Sequence, residues 1–295
     1  MKYYIVDAFT DKPFGGNPAG VVLLEGDAFP NEQLMLQIAA ELRYSETAFV
    51  KRHSATEFTI RYFTPADEVD LCGHATIATF SLLHKEYGIA GQCLCHTKAG
   101  DLTIEVGEQV MMQMATPRIV ATIDEVDEIY QALGLCAANP INESKSGQTT
   151  TLLTITPPTL PIQIAYSGLP DIMIPLPSVA TLQALQPDMV AITAITRKYE
   201  AVSFHIFAFD NDQHTAHVRD FAPLYGVPEE SATGTANAAL THYLQQNGCI
   251  PPTGDFTFLQ GEAMGRPSIV ATRVAADGTV YVGGTAAVVA KGELL

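Results

Sequence analysis

The sequence is short of basic residues and lacks long apolar runs. Its 295 residues contain 16 Lys and Arg against 32 Asp and Glu, which gives a formal net charge of −16. A protein with this charge repels phosphate backbones and anionic lipids, so nucleic acids and membrane surfaces are poor partners. No stretch approaches about eighteen uninterrupted apolar residues, so the sequence predicts no membrane-spanning helix.

The sequence also lacks an even number of cysteines and a phosphate-binding loop. The five cysteines are an odd number in a long chain, and the segment Met1–Asp7 predicts a strand rather than a secretory signal. We therefore expect a reduced, cytoplasmic protein. Neither standard glycine-rich phosphate loop occurs, and Cys93 and Cys95 have no second ligand pair at zinc-site spacing. The sequence therefore contains no motif that supports binding of a nucleotide cofactor or of zinc.

What the chain does contain suits a large core and a mixture of strands and helices. Hydrophobic residues make up 47%, and the length fits two domains of about 150 residues each. Asn31, followed by an apolar residue every fourth position, predicts a surface helix over residues 32–42. Alternating or β-branched side chains predict strands over residues 3–9, 20–24, 45–50, 57–63, 102–106 and 110–114.

A second predicted helix differs from the first because it has no polar face. Residues 73–83 carry small or apolar side chains on nearly every side, which predicts a buried helix with a sheet around it and Gly88 as its stop. Farther along, Ile123–Leu133 has the pattern of an amphipathic helix. The stretch Asn139–Thr151 is polar and is expected to form a loop.

An internal repeat indicates a duplicated unit. The segment Arg61–Pro65 reads Arg-x-Phe-x-Pro, and Arg219–Pro223 repeats it. Each is followed by a glycine that opens a buried helix, Gly73 in the first half and Gly234 in the second. We infer two similar halves and place the boundary near residue 118, which gives domains over residues 1–118 and 119–279.

The two glycine-led helices are candidate sites for an anion. The first N–H groups of a helix have no partner within the helix, and the helix dipole places about half a positive charge there. Two such ends facing each other would bind a small carboxylate. The alternative is that Gly73 and Gly234 serve only close packing of the buried helices, and the sequence does not separate the two interpretations.

Two side chains near the first turn could move protons. If Glu46 is buried, desolvation would raise its pKa toward the range useful for acid–base catalysis; the alternative is a solvent-facing strand residue. His74 could bind a substrate carboxylate or share a proton with a base, or simply bond to nearby backbone. Cys72 precedes the turn, but the equivalent position in the second half is Thr233, so a two-thiol racemase lacks its partner.

These segments resemble the PhzF-like isomerases of phenazine biosynthesis. The resemblance runs from end to end and in order. It is carried by Asp7–Thr10, Pro13–Val22, Ser45–Phe49, Arg61–Pro65, Glu68–Thr76, Glu229–Asn237 and Val280–Ala286.

The resemblance implies the diaminopimelate-epimerase-like fold. This is an α+β fold of two pseudo-symmetric domains, each a curved, mostly antiparallel or mixed sheet around a central buried helix, with the site between them. The last strand, over about residues 280–295, can return to the first domain. Family members are commonly homodimers and use neither metal nor cofactor.

The resemblance also implies which residues act. Glu46 matches the catalytic carboxylate, and the substrate-binding turns correspond to Gly73 with His74 and to Gly234 with Thr235. Asn17 lies in a loop that matches the cleft edge, and Glu230 stands where the family often has a shorter Asp that helps to hold the substrate. The following residues are therefore the expected site: Asn17, Glu46, Gly73, His74, Glu230, Gly234 and Thr235.

The predicted function is a cofactor-independent isomerase. Glu46 would remove a proton from one carbon of a small carboxylate-bearing metabolite and return it to another carbon on the same face. One alternative is an amino-acid racemase or epimerase on the same fold, which needs a second acid–base group opposite Glu46. Another is a non-catalytic carboxylate-binding protein, for which the departure at Glu230 leaves room.

Overall fold

Eighteen strands of the described residues join into one hydrogen-bonded sheet that runs through both halves of the chain. The structure, a computed structural model, describes residues 1–26, 28–137, 153–156, 158–210 and 212–294. The predicted polar loop Asn139–Thr151 lies outside them. Within the described ranges, none of the helices combines the length and hydropathy needed to cross a bilayer.

The strands fall into two consecutive sets. The first set comprises β1 (Lys2–Ala8), β2 (Asn17–Leu23), β3 (Thr47–Arg52), β4 (Glu57–Phe63), β5 (Glu68–Val69), β6 (Gly91–Thr97), β7 (Gly100–Val106) and β8 (Val110–Gln113). The second set comprises β9 (Arg118–Thr122), β10 (Leu135–Ala137), β11 (Leu153–Ile155), β12 (Gln163–Tyr166), β13 (Pro170–Pro175), β14 (Ser203–Ala208), β15 (Ala216–Ala222), β16 (Val227–Glu230), β17 (Gly254–Gln260), β18 (Ser268–Val274), β19 (Val280–Gly284) and β20 (Ala286–Glu293). β10 and β11 form a separate parallel pair.

Within each set the strands pair in the same order and with the same parallel and antiparallel steps. This shared topology is the structural counterpart of the repeat in the sequence. The first set runs β1–β2–β3–β4–β6–β7–β8, with β2–β3 and β4–β6 parallel and the other neighbours antiparallel. The second runs β12–β13–β14–β15–β17–β18–β19, and its parallel pairs, β13–β14 and β15–β17, fall at the same steps. β8 and β19 then pair antiparallel with each other, so the halves share one sheet.

The chain crosses between the two halves twice. β9 follows β8 in the chain but pairs with β12, and β20 follows β19 but pairs with β1. The chain therefore passes from the first half to the second at β9, next to the predicted boundary at residue 118, and returns at β20. The exact domain limits stay a prediction.

Helices cover the sheet and lie inside its two halves. They are α1 (Glu32–Leu42), α2 (Gly73–Tyr87), α3 (Asp127–Ala132), α4 (Val179–Gln183), α5 (Met189–Lys198) and α6 (Gly234–Gln246). α2 contacts β1, β2, β3, β7, β8 and β20, and α6 contacts β9, β12, β13, β18 and β19. The predicted α+β architecture, with a buried central helix in each half, is thus confirmed.

Local sequence signals explain where α1 begins and where α2 ends. α1 has the predicted bounds, and the Asn31 side chain accepts a hydrogen bond from the Leu34 N–H. α2 ends at Gly88, which adopts a left-handed conformation with φ of 66°. The predicted helix over 123–133 is wrong in its first turn, because the Ile123 N–H donates to the Ile162 carbonyl and so extends β9 instead.

The repeated arginine motif stabilises the strand that leads into each central helix. Arg61 on β4 forms two hydrogen bonds with Glu68 on β5, at 2.7 and 2.8 Å. Arg219 on β15 does the same with Glu229 on β16, at 2.8 and 2.9 Å. Such bidentate pairs fix orientation as well as distance. The same ion pair therefore positions the chain before Gly73 and before Gly234.

We expect the contact between the two halves to tolerate no side chain at Gly283. A Cβ atom there would overlap the backbone oxygen of Val110 on the paired strand and meet Met111 Sδ at 2.7 Å. Gly283→Ala should lower the free energy of unfolding by ~1–3 kcal/mol or more, because the strands must separate. Gly107→Ala is the control, since its Cβ would meet nothing closer than 3.7 Å. Equal urea midpoints for the two variants would contradict this account.

Candidate active site

The N-termini of α2 and α6 open onto one cavity of about 480 Å³. Their N-cap residues, Cys72 and Thr233, make no side-chain capping bond, so the first N–H groups of both helices are candidate donors to a ligand. The two helices also contact each other. Six of the seven predicted residues line this cavity: Glu46, Gly73, His74, Glu230, Gly234 and Thr235.

Close packing does not require glycine at either helix start. A Cβ atom on Gly73 would meet only Met112 Cε at 3.7 Å, and one on Gly234 would meet Val282 at 3.5 Å and Phe9 at 3.7 Å. These are ordinary van der Waals distances. The packing explanation for the two glycines therefore loses its basis, and the anion-site interpretation gains support.

Glu46 lies just before a strand and turns toward the cavity. The sequence analysis placed it within a strand, but β3 begins one residue later, at Thr47. Its carbonyl accepts a backbone hydrogen bond from Gly20 at 3.1 Å, which fixes the residue at the sheet edge. Glu46 Oε2 is buried and lies 3.2 Å from His74 Nε2.

His74 lies between two carboxylates. Its Nε2 faces Glu46, and its Nδ1 is 3.8 Å from Glu230 Oε1. Burial lowers the pKa of this imidazole, although the Glu46 charge opposes the shift. A neutral imidazole carries one N–H donor and one acceptor, and the 3.2 Å contact with Glu46 is within hydrogen-bond reach whereas the 3.8 Å contact with Glu230 is not.

Glu230 differs from Glu46 because it is held by hydrogen bonds and favours its protonated form. Asn17 Nδ2 donates to Glu230 Oε1 at 3.0 Å, and Thr233 Oγ1 donates to Oε2 at 3.0 Å. Burial, with the charges of Asp220 and Glu46, raises the pKa of Glu230 to about 8. Asn17 therefore lies behind Glu230 rather than on the cavity wall, and its place is to orient this carboxyl.

Cys72 is buried beside His74, with Sγ 3.4 Å from Nδ1. Burial, with the charge of Glu46, raises the pKa of the thiol well above its usual value. Glu46, Cys72 and His74 together bring an oxygen, a sulfur and a nitrogen within 4.8 Å of one another, a spacing that a metal ion could bridge. The thiol would first have to lose its proton. The predicted absence of a metal role stays a prediction.

The sequence analysis missed one wall of the cavity. Asp171, Ser203 and Asp220 line it, on β13, β14 and β15. Asp220 lies inside the second arginine motif, where the first half has Tyr62. A carboxylate at the position of a buried tyrosine was the signal that could have identified it.

A family model described as phenazine biosynthesis-like protein matches residues 6–292 of this chain. The chain belongs to the PhzF family. An uncharacterized isomerase, YddE of Escherichia coli K12, is 34% identical over 282 residues, which cover 92% of this chain and 90% of YddE. The trans-2,3-dihydro-3-hydroxyanthranilate isomerase of Pseudomonas chlororaphis is 31% identical over 274 residues, covering 92% and 89%. The protein is thus an isomerase-family enzyme.

Solved structures agree with this assignment. A PhzF-family protein of Bacillus anthracis superposes with a TM-score of 0.82 at 25% identity, covering 100% of this chain and 99% of that one. A hydroxyproline epimerase of Agrobacterium vitis, at 12% identity, superposes with a TM-score of 0.59 over 99% and 91% of the chains and shares the fold alone. The predicted diaminopimelate-epimerase-like fold is confirmed. The predicted homodimer and the cytoplasmic location stay predictions.

We expect Glu230 to make the folded protein less stable as pH rises. Its pKa of about 8 lies above the usual 4.5, so between these values the folded state holds a proton that the unfolded chain releases, and rising pH favours unfolding. From pH 5 to 8 the wild type should lose about 1 kcal/mol or more relative to Glu230→Gln. Urea unfolding of both proteins measures this. Parallel pH profiles would contradict it.

We also expect Cys72 to react slowly with alkylating reagents. Its thiol is buried and has a raised pKa, and the thiolate is the reactive form. At pH 8, iodoacetamide should label Cys72 at least about tenfold more slowly than the exposed Cys136. Peptide mass spectrometry against time gives both rates. Equal rates would return Cys72 to the list of acid–base candidates.

Proposed function

We propose that this protein is a cofactor-independent isomerase in which Glu46 moves a proton between two carbons of a small carboxylate-bearing substrate. The observation that carries the proposal is the Glu46 carboxylate itself. Its Oε2 is buried, lies 3.2 Å from His74 Nε2 and belongs to a side chain that lines a cavity onto which two helix N-termini open.

In this proposal the substrate carboxylate binds at the N–H groups that follow Cys72 and Thr233. Glu46 takes a proton from an activated carbon, and the electron pair left behind spreads toward the carboxylate, where the two helix dipoles stabilise the added charge. The new carboxylic acid then returns the same proton to a second carbon on the same face. One residue acts as base and then as acid, so no proton is gained or lost overall.

His74 and Glu230 have supporting roles. A protonated Glu230 donates a hydrogen bond, so it can hold a substrate oxygen or nitrogen next to the reacting carbons. Neutral His74, at 3.2 Å from Glu46, orients the base without supplying a positive charge that would weaken it. The lowered pKa of His74 favours its neutral form, and the raised pKa of Glu230 favours its protonated form. Both roles follow from these two shifts.

The substrate is proposed by class. A relative is named for trans-2,3-dihydro-3-hydroxyanthranilate, an unsaturated cyclic carboxylate. Glu230 is one carbon longer than the Asp that the family often has there, which moves its carboxyl roughly 1.5 Å. We therefore expect a related but different unsaturated carboxylate.

The racemase alternative needs a second acid–base group opposite Glu46. At the two positions that a two-thiol racemase needs, the chain has Cys72, whose thiol pKa is raised well above its usual value, and Thr233, whose hydroxyl is not an acid in this range. Glu230, whose pKa is about 8, is assigned to substrate binding in this proposal. A non-catalytic binding protein would have no use for a buried carboxylate oxygen held beside His74.

The test is Glu46→Gln, which keeps the shape of the side chain and removes the base. Isomerisation of trans-2,3-dihydro-3-hydroxyanthranilate and a panel of unsaturated cyclic carboxylates should fall by about 10²–10⁴-fold. Proton NMR in D₂O follows the reaction. Glu41→Gln, at an exposed position on α1, is the matched control and should retain full activity.

The same NMR assay distinguishes a mechanism with one catalytic base from a mechanism with two. A single glutamate that returns its own proton should leave part of the original hydrogen in the product after one turnover in D₂O. Complete exchange with solvent, or Glu46→Gln activity within tenfold of the wild type, would contradict the proposed role.

A further inference from the structure

A loop of the first half leads directly to Asn17, the residue that holds the carboxyl of Glu230. The loop comprises residues 9–16 and joins β1 to β2. At the start of β2, Asn17 Nδ2 donates to Glu230 Oε1 at 3.0 Å and to the Ala232 carbonyl at 2.9 Å. Since this amide group has only two hydrogens, both are used. The position of the loop therefore decides where the hydrogen bond to Glu230 is made.

The backbone of this loop is strained. Phe9 and Phe14 have left-handed φ values of 63° and 71°. Residues other than glycine rarely adopt such values, and they keep them only where surrounding contacts impose them. The Phe14 side chain is 73% exposed, so its own packing does not hold the backbone in place. Contacts from outside the loop must therefore maintain its conformation.

Arg266, just before β18 in the second half, makes three such contacts. Its guanidinium donates to the carbonyls of Gly15 and Gly16 at 2.6 and 2.9 Å and to Asp7 Oδ1 at 2.8 Å. Asp7 is buried on β1, and its other oxygen accepts the Phe14 N–H at 2.7 Å. One side chain of the second half thus binds the strand before the loop and the last two residues of the loop.

Gly16 has two further bonds to the second half. Its carbonyl also accepts from Ser231 Oγ at 3.0 Å, and its N–H donates to the Pro267 carbonyl at 3.2 Å. Because Asn17 is the next residue in the chain, a shift of Gly16 would move the amide that holds Glu230. The contacts of Arg266 and of Glu230 are therefore joined through two consecutive residues.

We propose that Arg266 is a positioning residue of the active site, which holds Gly15 and Gly16 so that Asn17 fixes the carboxyl of Glu230. This rests on the proposed function, in which Glu230 holds a substrate atom next to the reacting carbons. A guanidinium suits the role because its N–H groups point in fixed directions within one plane. A purely structural role, in which Arg266 only stabilises the contact between the two halves, makes a different prediction.

Titration of the Glu230 carboxyl tests this role. The probe is ¹³C NMR of protein labelled at the glutamate side-chain carboxyl carbons, and Glu230→Gln identifies the signal. The Asn17 amide stabilises the ionised form, so Asn17→Ala should raise the measured pKa of Glu230 above its starting value of about 8, by about 1. Arg266→Met and Arg266→Lys should shift it in the same direction.

Arg266→Lys separates geometry from charge. Lysine keeps the positive charge but has a methylene group where Arg266 Nε donates to Gly16. It is also the milder change, in case Arg266→Met does not fold. A shift in Arg266→Met together with a wild-type titration in Arg266→Lys would show that only the charge acts on Glu230, and this would overturn the proposal.

The double variant Asn17→Ala/Arg266→Lys shows whether Arg266 acts through Asn17. Once the amide is gone, the change at Arg266 should have no further effect, so the double variant should titrate like Asn17→Ala. Independent effects would add instead, and this result would contradict the proposed role.

Arg273→Met is the matched control for the contact between the halves. Arg273 on β18 pairs with Glu105 on β7 at 2.6 Å, so it also joins the two halves, but neither is among the described residues that line the cavity. This variant should leave the pKa of Glu230 unchanged. A shift as large as that of Arg266→Lys would mean that any loosening of this contact has the same effect, and the positioning role would be wrong.

Activity connects the position of Glu230 with the reaction. Asn17→Ala, Arg266→Lys and their double variant should each lose about 10- to 100-fold in kcat/KM on a substrate that the wild type isomerises. The two losses should not multiply in the double variant, because both changes release the same carboxyl. Losses that multiply would overturn the proposal.

The titration needs no substrate, so it separates this proposal from the proposed mechanism. If Glu46→Gln retains its activity while Asn17→Ala and Arg266→Lys shift the titration alike, the mechanism fails and the positioning of Glu230 by Arg266 stands. If both Arg266 variants titrate like the wild type, the positioning role fails and the mechanism is unaffected.

Discussion

The site depends on two helix N-termini that open onto one cavity. A single helix start is a weak anion site, whereas two of them place several N–H groups and two dipoles around one small volume. The pairing of β8 with β19 holds them there, because it joins the two halves into one sheet and leaves no room for a side chain at Gly283. The negative charge of the chain makes such a local site necessary for an anionic substrate.

The duplication explains both the symmetry of the scaffold and the asymmetry of the chemistry. The same bidentate Arg–Glu pair precedes each central helix, so the two turns are built alike. The side chains around them have diverged. The first half supplies the Glu46 carboxylate and a neutral imidazole, His74, 3.2 Å from it. The second supplies Glu230, whose pKa of about 8 favours its acid form, and the aspartates behind it. A duplicated frame thus carries the proposed base on one side and hydrogen-bond donors on the other.

Much of the fold and of the candidate site was predictable from the sequence, and each wrong or missing prediction has a physical reason. The repeat around Arg61 and Arg219 gave the architecture, because duplicated motifs fold alike. The helix predicted from Ile123 failed because its backbone N–H bonds to Ile162, a partner 39 positions away that no local pattern reveals. Asp171 and Ser203 were missed for the same reason, since they meet only through strand pairing. Asn17 was expected at the cleft edge, but it lies behind Glu230.

The central claim is that one carboxylate is held by both helix starts at once. Titration of ¹⁵N-labelled protein with cyclohexanecarboxylate, followed by NMR at the amides of Gly73, His74, Gly234 and Thr235, tests it most directly. The account predicts that all four amide signals shift together and fit one Kd. Shifts confined to one helix start, or two different Kd values, would contradict it.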